Sequence, residues 1–375
     1  MYPEIVLTHF LFGIGLGVVM HRSDFCMAGA FRDIFLTGDF FRMRSVILLV
    51  SVTSTLLYLA RASGLVDSYP PSFFSSPSIA HLTGGVIFGI GMVLAGGCVM
   101  GTLYKMGAGN LVSVCAFAGL LLGSLLFAWA YPLHRSFVEA TTVSGGFTAM
   151  EHLTGSPGLT ALLIVSISFL YLFRGKKHPA WTGNAFARGY LDPWKAALIV
   201  CAIIILSFTL TGRPLALTSG YSRLASCLAE RILPGGVTSL PVDRDDSVRL
   251  LYGKVMDQKY LSGTDPVMIT QVPMIFGIVI GAFLSALRLG ELTIWPAPPR
   301  RQLLSGFAGG ILLACGSLMA GGCNVWHIMG GLPLLAFQSV LFVFGMGFGA
   351  YVGSRLLLTT VLQVERCTPF ENHSY

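Results

Sequence analysis

Long, uninterrupted apolar stretches dominate this sequence and limit what the chain can fold into. A helix that crosses the hydrocarbon core of a bilayer needs roughly 20 apolar residues, and the chain offers about nine such stretches. The predicted crossings cover residues 4–20, 45–61, 80–97, 109–131, 157–173, 195–211, 266–288, 302–319 and 330–357. Because these runs are continuously apolar and do not alternate with polar residues, they predict helices and not the strands of a membrane barrel.

The charge content supports the same class. Only 11% of the residues are charged, whereas a soluble domain has about a quarter of its residues charged. We therefore predict an all-α polytopic membrane protein, with short re-entrant helices beside the crossings, as a single transmembrane domain over residues 1–375. The net charge of +7 fits loops anchored at the cytoplasmic face. The sequence has no basic stretch interleaved with aromatic residues, so nucleic-acid binding is not expected.

The loops between the predicted crossings alternate in charge. Basic residues collect in three of them, around 32–44, 174–188 and 288–301. The alternate loops are 62–79, which is rich in Ser and Pro and contains Asp67, and 132–156, which contains Glu139 and Glu151. The positive-inside rule then places the N-terminus outside and the C-terminus in the cytoplasm. The first apolar run lacks a basic n-region, so it is predicted to be a retained helix and not a signal peptide.

Two glycine-rich segments repeat the same pattern. Residues 84–98 (GGVIFGIGMVLAGGC) and 309–323 (GGILLACGSLMAGGC) are identical at seven of fifteen positions. An odd number of helix steps separates them, so they are predicted to run in opposite directions. This inverted repeat divides the chain into half-repeats 1–173 and 174–375, with 212–265 as a long extracytoplasmic insert. Inverted repeats are typical of secondary transporters that bind substrate near the bilayer midplane.

Both copies of the repeat end in Gly-Gly-Cys. Glycine pairs interrupt helices, and broken backbone at membrane depth survives only where protein or water buries it. Two such breaks in corresponding positions indicate a substrate site. The alternative is that the glycines only allow close helix packing and the cysteine is a small buried apolar residue. The residues concerned are Gly96, Gly97 and Cys98 in the first copy, and Gly321, Gly322 and Cys323 in the second.

Three motifs, HRSDFCMAGAFRDIFLTGD (21–39), AGGCVMG (95–101) and AGGCNVWHIMGG (320–331), resemble the YeeE/YedE family of bacterial inner-membrane proteins. The resemblance covers both halves of the chain. It implies an hourglass-shaped transporter for thiosulfate or a related sulfur oxyanion, in which Cys26, Cys98 and Cys323 line the narrow path. It also implies an inner-membrane location and a separate TusA-like sulfur-carrier protein as a cytoplasmic partner.

Thiols suit the passage of such an anion. A neutral thiol donates only a weak S–H hydrogen bond to a dianion, and conduction needs sites that release the ion as readily as they bind it. Helix N-termini that follow Gly97 and Gly322 are predicted to supply further positive potential.

Five further residues are predicted as secondary members of the substrate site. Arg22 and Asp24 are read either as an ion pair that holds a re-entrant turn near Cys26 or as ordinary interfacial charges. His327 follows Cys323 by four residues and shares its face if the helix continues. Zinc sites usually have closely spaced ligand pairs, so neither a metal nor another cofactor is expected. The full secondary set is Arg22, Asp24, Cys227, Asn324 and His327.

Two other functions remain open from the sequence. A membrane sulfurtransferase would form persulfides on its cysteines, but this needs a thiolate, and a thiol in apolar surroundings resists ionisation. We therefore predict a transporter and not an enzyme. The N-terminal half is also similar to the selenium-linked branch of the family, which implies a permease for a selenium compound as the other alternative.

Overall fold

The computed structural model describes residues 2–23, 25–64, 74–143, 189–211, 214–232, 266–292 and 298–361, together with residue 166 and two short strands. The helices of the first half are α1 (Tyr2–Ser23), α2 (Met27–Leu36), α3 (Phe41–Ala62), α4 (Ile79–Leu94), α5 (Val99–Gly107) and α6 (Leu111–Thr141). Those of the second half are α7 (Pro193–Thr211), α8 (Thr218–Ile232), α9 (Pro266–Leu289), α10 (Arg300–Met319), α11 (Val325–Gly331) and α12 (Phe337–Leu356). Strands β1 (Val248–Arg249) and β2 (Val255–Met256) pair antiparallel. Helix α11 is a π-helix, and α12 continues in π-type turns to Val361.

Within these described residues, eight helices are long and apolar enough to cross a membrane. The spans are α1 with α2, α3, α4 with α5, α6, α7, α9, α10 and α12, and they confirm the prediction of an all-α polytopic membrane protein. The ninth predicted crossing, 157–173, lies outside the described residues apart from one residue. The crossing predicted over 330–357 begins later, at Phe337, because the polar Gly-Gly segment before it ends the separate short helix α11.

The two halves have the same order of long and short helices. In each half a long helix is followed by a short one, then two long helices, another short one and a final long helix. The short helices α2, α5, α8 and α11 have 10, 9, 15 and 7 residues. A crossing needs about 20 residues, so these four are too short to span a bilayer. The sequence predicted short re-entrant helices beside the crossings, and these four helices have the length expected of them.

Helix α8 lies inside the segment 212–265, which the sequence assigned to an extracytoplasmic insert. The structure instead places residues 214–232 against the core, where Tyr221 is 1% exposed and Leu217 is fully buried. The difference arises because α8 is short and partly polar, so it lacks the long apolar run that marks a membrane helix. Of the remaining part of the segment, only strands β1 and β2 are described.

Helices α4 and α10, which carry the two repeats, pack closely and run antiparallel. A Cβ atom built on Gly84 would lie 2.8 Å from the carbonyl oxygen of Gly316. A Cβ atom built on Gly309 would lie 2.8 Å from the carbonyl oxygen of Gly91. The offset of the repeat maps Gly84 onto Gly309 and Gly91 onto Gly316, so these two contacts are images of one another. An approximate twofold axis therefore passes between the helices, which is the relation that an inverted repeat requires.

The neighbouring helices follow the same symmetry. A Cβ atom on Gly85 would clash with the carbonyl oxygen of Phe342 in α12, and one on Gly310 would clash with that of Ala116 in α6. Gly85 and Gly310 are again equivalent positions of the repeat. Helices in lipid associate through such close backbone contacts, because apolar surface gains little by leaving the lipid.

We expect Gly316→Ala to destabilise the protein, because its Cβ atom would lie 2.7 Å from the carbonyl oxygen of Gly84. A backbone atom cannot move aside as a flexible side chain can, and overpacking of this kind costs about 1–3 kcal/mol. The melting temperature of the purified protein in detergent should therefore fall. Gly347→Ala is the matched control, since its nearest neighbour is the Phe31 ring edge at 3.9 Å. Equal melting temperatures for the two variants would contradict this packing.

Candidate functional site

The Gly-Gly-Cys segments end helices α4 and α10 in the same way. Gly96 and Gly321 have φ angles of +72° and +69°, a left-handed conformation that glycine adopts without steric cost. The next N–H groups turn back into the helix, from Gly97 to the carbonyl of Met92 at 3.0 Å and from Gly322 to that of Ser317 at 2.8 Å. These are the hydrogen bonds of a glycine-terminated helix, and they set each following cysteine at the start of a new helix.

Each of the three predicted path cysteines stands before a short helix. Cys26 and Cys98 hold the N-cap positions of α2 and α5, with extended backbone. The Cys98 sulfur accepts a hydrogen bond from the N–H of Gly101 at 3.3 Å. The Cys323 thiol lies by the first N–H groups of α11, those of Val325 and Trp326. The first turn of a helix presents unpaired N–H groups, so the potential at these sulfur atoms is positive.

The thiols of Cys26 and Cys98 face one common point. A Cβ atom built on Gly101 would lie 3.3 Å from the sulfur of Cys26 and 3.5 Å from that of Cys98. The Cys98 thiol is also within hydrogen-bonding reach of the Cys26 thiol and of the Asn324 side chain. Both cysteines are buried. A side chain at position 101 would therefore press against both sulfur atoms.

Asn324 connects this pair to the third cysteine. It follows Cys323 directly in the chain and is fully buried. Its Nδ2 donates to the sulfur of Met27 at 3.2 Å, while its Oδ1 has no hydrogen-bond partner. An unpaired buried polar atom costs about 1–3 kcal/mol, so such a group is retained where it has a further contact to make. The Asn324 amide is therefore part of the candidate site.

Hydroxyl groups of the second half surround Cys323. The N–H of Cys323 donates to Oγ1 of Thr218 at 2.9 Å, and the hydroxyl groups of Tyr221 and Ser317 are hydrogen-bonded to each other. Thr218 begins α8, the helix that corresponds to α2 in the order of the two halves. A threonine thus stands near the position that Cys26 holds in the first half.

The antiparallel packing of α4 and α10 gives the order of these groups along the protein. Gly84 lies beside Ala320 at the end of α10, and Ala95 at the end of α4 lies beside Gly309. The two helix ends, and with them Cys323 and Cys98, are therefore on opposite sides of the middle of this helix pair. Asn324 spans the interval between them. From the end of α10 toward the end of α4, the order of these groups in space is Thr218, Cys323, Asn324, and then Cys98 together with Cys26.

The other predicted residues have different places. Both ring nitrogens of His327 are hydrogen-bonded, to Ser339 at 2.9 Å and to the carbonyl of Ala320 at 3.2 Å, and the ring stacks on Phe342. Its position is that of a packing residue.

Cys227 is exposed, and it lies nine residues beyond Thr218 along α8. Arg22 is joined to the second half through its carbonyl oxygen, which accepts from the N–H of Leu191 at 2.9 Å. Asp24, its predicted ion-pair partner, lies outside the described residues. In the part of the chain that the structure describes, no group of three or more His, Cys, Asp or Glu residues could hold a metal ion.

Sequence reasoning missed two parts of this site. Thr218 and Tyr221 come from a segment assigned to an insert, and the signal for them is the repeated order of long and short helices. The second missed part is a group of three basic side chains. From the sequence, such residues were expected only as loop anchors, but the structure groups Arg32, Arg42 and Lys105 beside Cys26.

Comparisons with known proteins show which proteins this chain is similar to. A family model described as sulphur transport matches residues 22–352. The thiosulfate transporter TsuA of Spirochaeta thermophila is 27% identical over 359 residues, which are 90% of this chain and 94% of that protein. The thiosulfate transporter TsuA of Escherichia coli is 26% identical over 368 residues, 94% of this chain and 95% of that protein.

A third relative, the probable transporter YedE of Salmonella typhimurium, is 26% identical over 197 residues, 52% of this chain and 46% of that protein. The family model includes all three cysteines and the four short helices. It also covers most of the chain, from the end of α1 into α12. This protein therefore belongs to the sulphur-transport family, the YeeE/YedE group of multi-pass membrane proteins.

Proposed function

We propose that this protein takes up thiosulfate or a closely related sulfur oxyanion through a path lined by the thiols of Cys26, Cys98 and Cys323. The observation that carries this proposal is the meeting of the Cys26 and Cys98 thiols beside Gly101, with the side chain of Asn324, the residue that follows Cys323, in reach of Cys98. The relatives that are named thiosulfate transporters supply the substrate class.

The chemistry of the lining favours passage over tight binding. Thiosulfate is a dianion with a soft terminal sulfur, and a neutral thiol offers it one weak S–H donor at a time. The N–H groups at the starts of α2 and α5 add positive potential without a full charge. An ion held by several weak sites in series can leave each site as readily as it enters. A guanidinium at the narrowest point would hold a dianion far more strongly.

This environment also favours transport over sulfurtransferase chemistry. Persulfide formation begins with a thiolate, which burial in apolar surroundings disfavours at Cys98 and Cys323. The relatives carry the names of transporters and not of enzymes. We propose that the substrate crosses without a lasting covalent adduct, and that a separate TusA-like sulfur carrier receives it or its product in the cytoplasm.

The charge distribution of the loops supports an orientation in a bacterial inner membrane. With the N-terminus outside, the ends of α2 and α5 and the starts of α3 and α6 face the cytoplasm, which is where Arg42, Arg44 and Lys105 are found. Lysine and arginine are enriched in cytoplasmic loops. Cys26 and Cys98 then lie toward the cytoplasm, and Cys323 lies toward the outside.

The orientation is tested by accessibility. We expect single cysteines introduced at Lys176 and Tyr375, in a background without other reactive cysteines, to be labelled only after a membrane-permeant reagent is added. A cysteine at Arg135, an exposed residue near the end of α6, should react with an impermeant reagent in whole cells. The reverse labelling pattern at these three positions would overturn the proposed topology.

The thiols are tested one at a time. Alanine at Cys26, Cys98 or Cys323 removes the S–H donor, and a hydrogen bond to a charged group contributes about 1.5–3 kcal/mol, so uptake should fall at least about tenfold. Labelled thiosulfate uptake into cells that lack other sulfur importers measures this effect, with selenite and sulfate as competitors. Serine keeps a donor of similar size, so partial uptake should remain.

The matched controls are Cys115→Ala and Cys201→Ala, because Cys201 donates its thiol to the carbonyl of Leu49 within the packed core. Protein level in the membrane is measured for each variant, since a misfolded variant imitates an inactive one. Parental uptake by stably inserted alanine variants of all three path cysteines would refute the thiol path. A stable mass increase of one sulfur atom on any of them during turnover would instead support the sulfurtransferase.

The position of Gly101 beside the first two thiols allows a steric test. Gly101→Ala places a methyl group 3.3 Å and 3.5 Å from the two sulfur atoms, in the space that the anion is proposed to use. Uptake should fall with alanine and reach background with the larger Gly101→Val, while Gly347→Ala should leave it unchanged. Parental uptake in a well-expressed Gly101→Val variant would place the substrate elsewhere.

A further inference from the structure

A small cavity of about 80 Å³ lies beside Cys26, on the side away from Cys323. Three different elements contribute cations to its wall: Arg32 from α2, Arg42 from α3 and Lys105 from α5. Cys26 lines the same cavity, so the charged wall borders one thiol of the pair. The thiols themselves do not need these charges, which makes the cavity a separate feature of the fold.

We propose that this cavity is a second anion-binding site, which takes a small tetrahedral dianion such as sulfate or thiosulfate through its charge and oxygen atoms. This inference rests on the proposed function, because the bound ion is the one that has passed, or is about to pass, Cys26 and Cys98. It differs from the thiol path in chemistry, because it binds by full positive charges.

Asp33 links two of these cations. Its Oδ1 accepts from Arg32 Nη2 at 2.9 Å, and its Oδ2 accepts from Arg42 Nη1 at 3.0 Å. Lys105 adds a third cation from a separate helix. The cavity wall therefore carries more positive charge than this carboxylate offsets, and such a wall attracts an anion.

Local backbone features hold the cations at the cavity. A Cβ atom built on Gly29 would lie 2.7 Å from Nη1 of Arg42 and 3.5 Å from Cβ of Cys26. Only a glycine at this position leaves room for the guanidinium next to the thiol. Lys105 donates from Nζ to the carbonyl oxygen of Gly96 at 2.7 Å. The glycine break that sets Cys98 at the start of α5 therefore also anchors the ammonium group of Lys105.

The presence of Asp33 limits how firmly an ion is held. An arriving dianion shares Arg32 and Arg42 with a carboxylate that already bonds to both, so part of the attraction is offset by repulsion between the two anions. Charges that line a recess raise the local concentration of a counter-ion. The site therefore attracts dianions toward the end of the thiol path and still releases them. It does not distinguish sulfate from thiosulfate, because both present oxygen atoms and the same charge.

The test measures equilibrium binding of radiolabelled sulfate to the purified full-length protein in detergent, at constant ionic strength. We expect Arg42→Gln and Lys105→Gln to weaken sulfate binding at least about tenfold each, since each removes a charge-assisted hydrogen bond. Arg42→Lys should retain part of the binding. Cys201→Ala should bind sulfate as the parental protein does, because this thiol donates to the carbonyl of Leu49 in the packed core and does not line the cavity.

Arg135→Gln is the matched control. It also breaks one arginine–carboxylate pair, with Glu139 at 2.8 Å, but on an exposed surface away from the cavity. Gly29→Ala gives a second way to disturb the site, since it displaces the Arg42 guanidinium and keeps every charge; sulfate binding should weaken here too. Unchanged sulfate binding in Arg42→Gln, Lys105→Gln and Gly29→Ala, or equal weakening in Arg135→Gln, would overturn the proposal.

Thiosulfate uptake by the same variants separates this inference from the proposed function. Loss of sulfate binding together with reduced but measurable uptake in Arg42→Gln supports a second site on a working path. If the parental protein takes up no thiosulfate, the proposed function fails, whatever the sulfate measurement gives. If the parental protein takes up thiosulfate and the cavity variants match it in both uptake and sulfate binding, only the second site is refuted.

Discussion

The backbone-to-backbone contact between α4 and α10 is the interaction on which the rest of the structure depends. In lipid, helices gain little by hiding apolar side chains from one another, so stability comes from close van der Waals contact between small residues. Glycines at equivalent positions of the repeat bring the two helices together twice, once at Gly84 and Gly316 and once at Gly91 and Gly309. Because the helices are antiparallel, this contact also sets Cys98 and Cys323 on opposite sides of the middle of the pair.

The glycine break after each of these helices has several consequences at once. It ends the helix at a left-handed glycine, and in doing so it sets a cysteine before the first N–H groups of the next helix. In the first half it also turns the carbonyl of Gly96 toward Lys105. A single local backbone feature thus positions a thiol, a helix N-terminus and a cation, and the inverted repeat supplies its counterpart at Cys323.

The sequence predicted those features that depend on local composition or on a visible repeat. Apolar runs predicted the described crossings, and the Gly-Gly-Cys repeat predicted two helices that run in opposite directions. Helix α8 was missed because TSGYSRLASCLAERI is too short and too polar for a hydropathy pattern, and only packing against the core buries Tyr221. His327 was expected on the face of Cys323 from α-helical spacing. That segment is a π-helix, with more residues per turn, and the ring turns toward Ser339 and Phe342. The basic cavity joins residues far apart in the chain, so no local pattern could reveal it.

The cations of the cavity stand beside Cys26, at one end of the proposed thiol path, and this arrangement resolves a conflict that any anion path faces. A full positive charge attracts a dianion over a long distance, but at a narrow, dry point the same charge would hold it. In the proposed path the narrow part has neutral donors from Cys26, Cys98 and Asn324, and the cations stand in a cavity beside it. Asp33 moderates those cations through its bonds to Arg32 and Arg42. Discrimination by sulfur softness then falls to the thiols, while the cavity acts on charge alone. The two tasks require opposite electrostatics, which explains why different residues carry them.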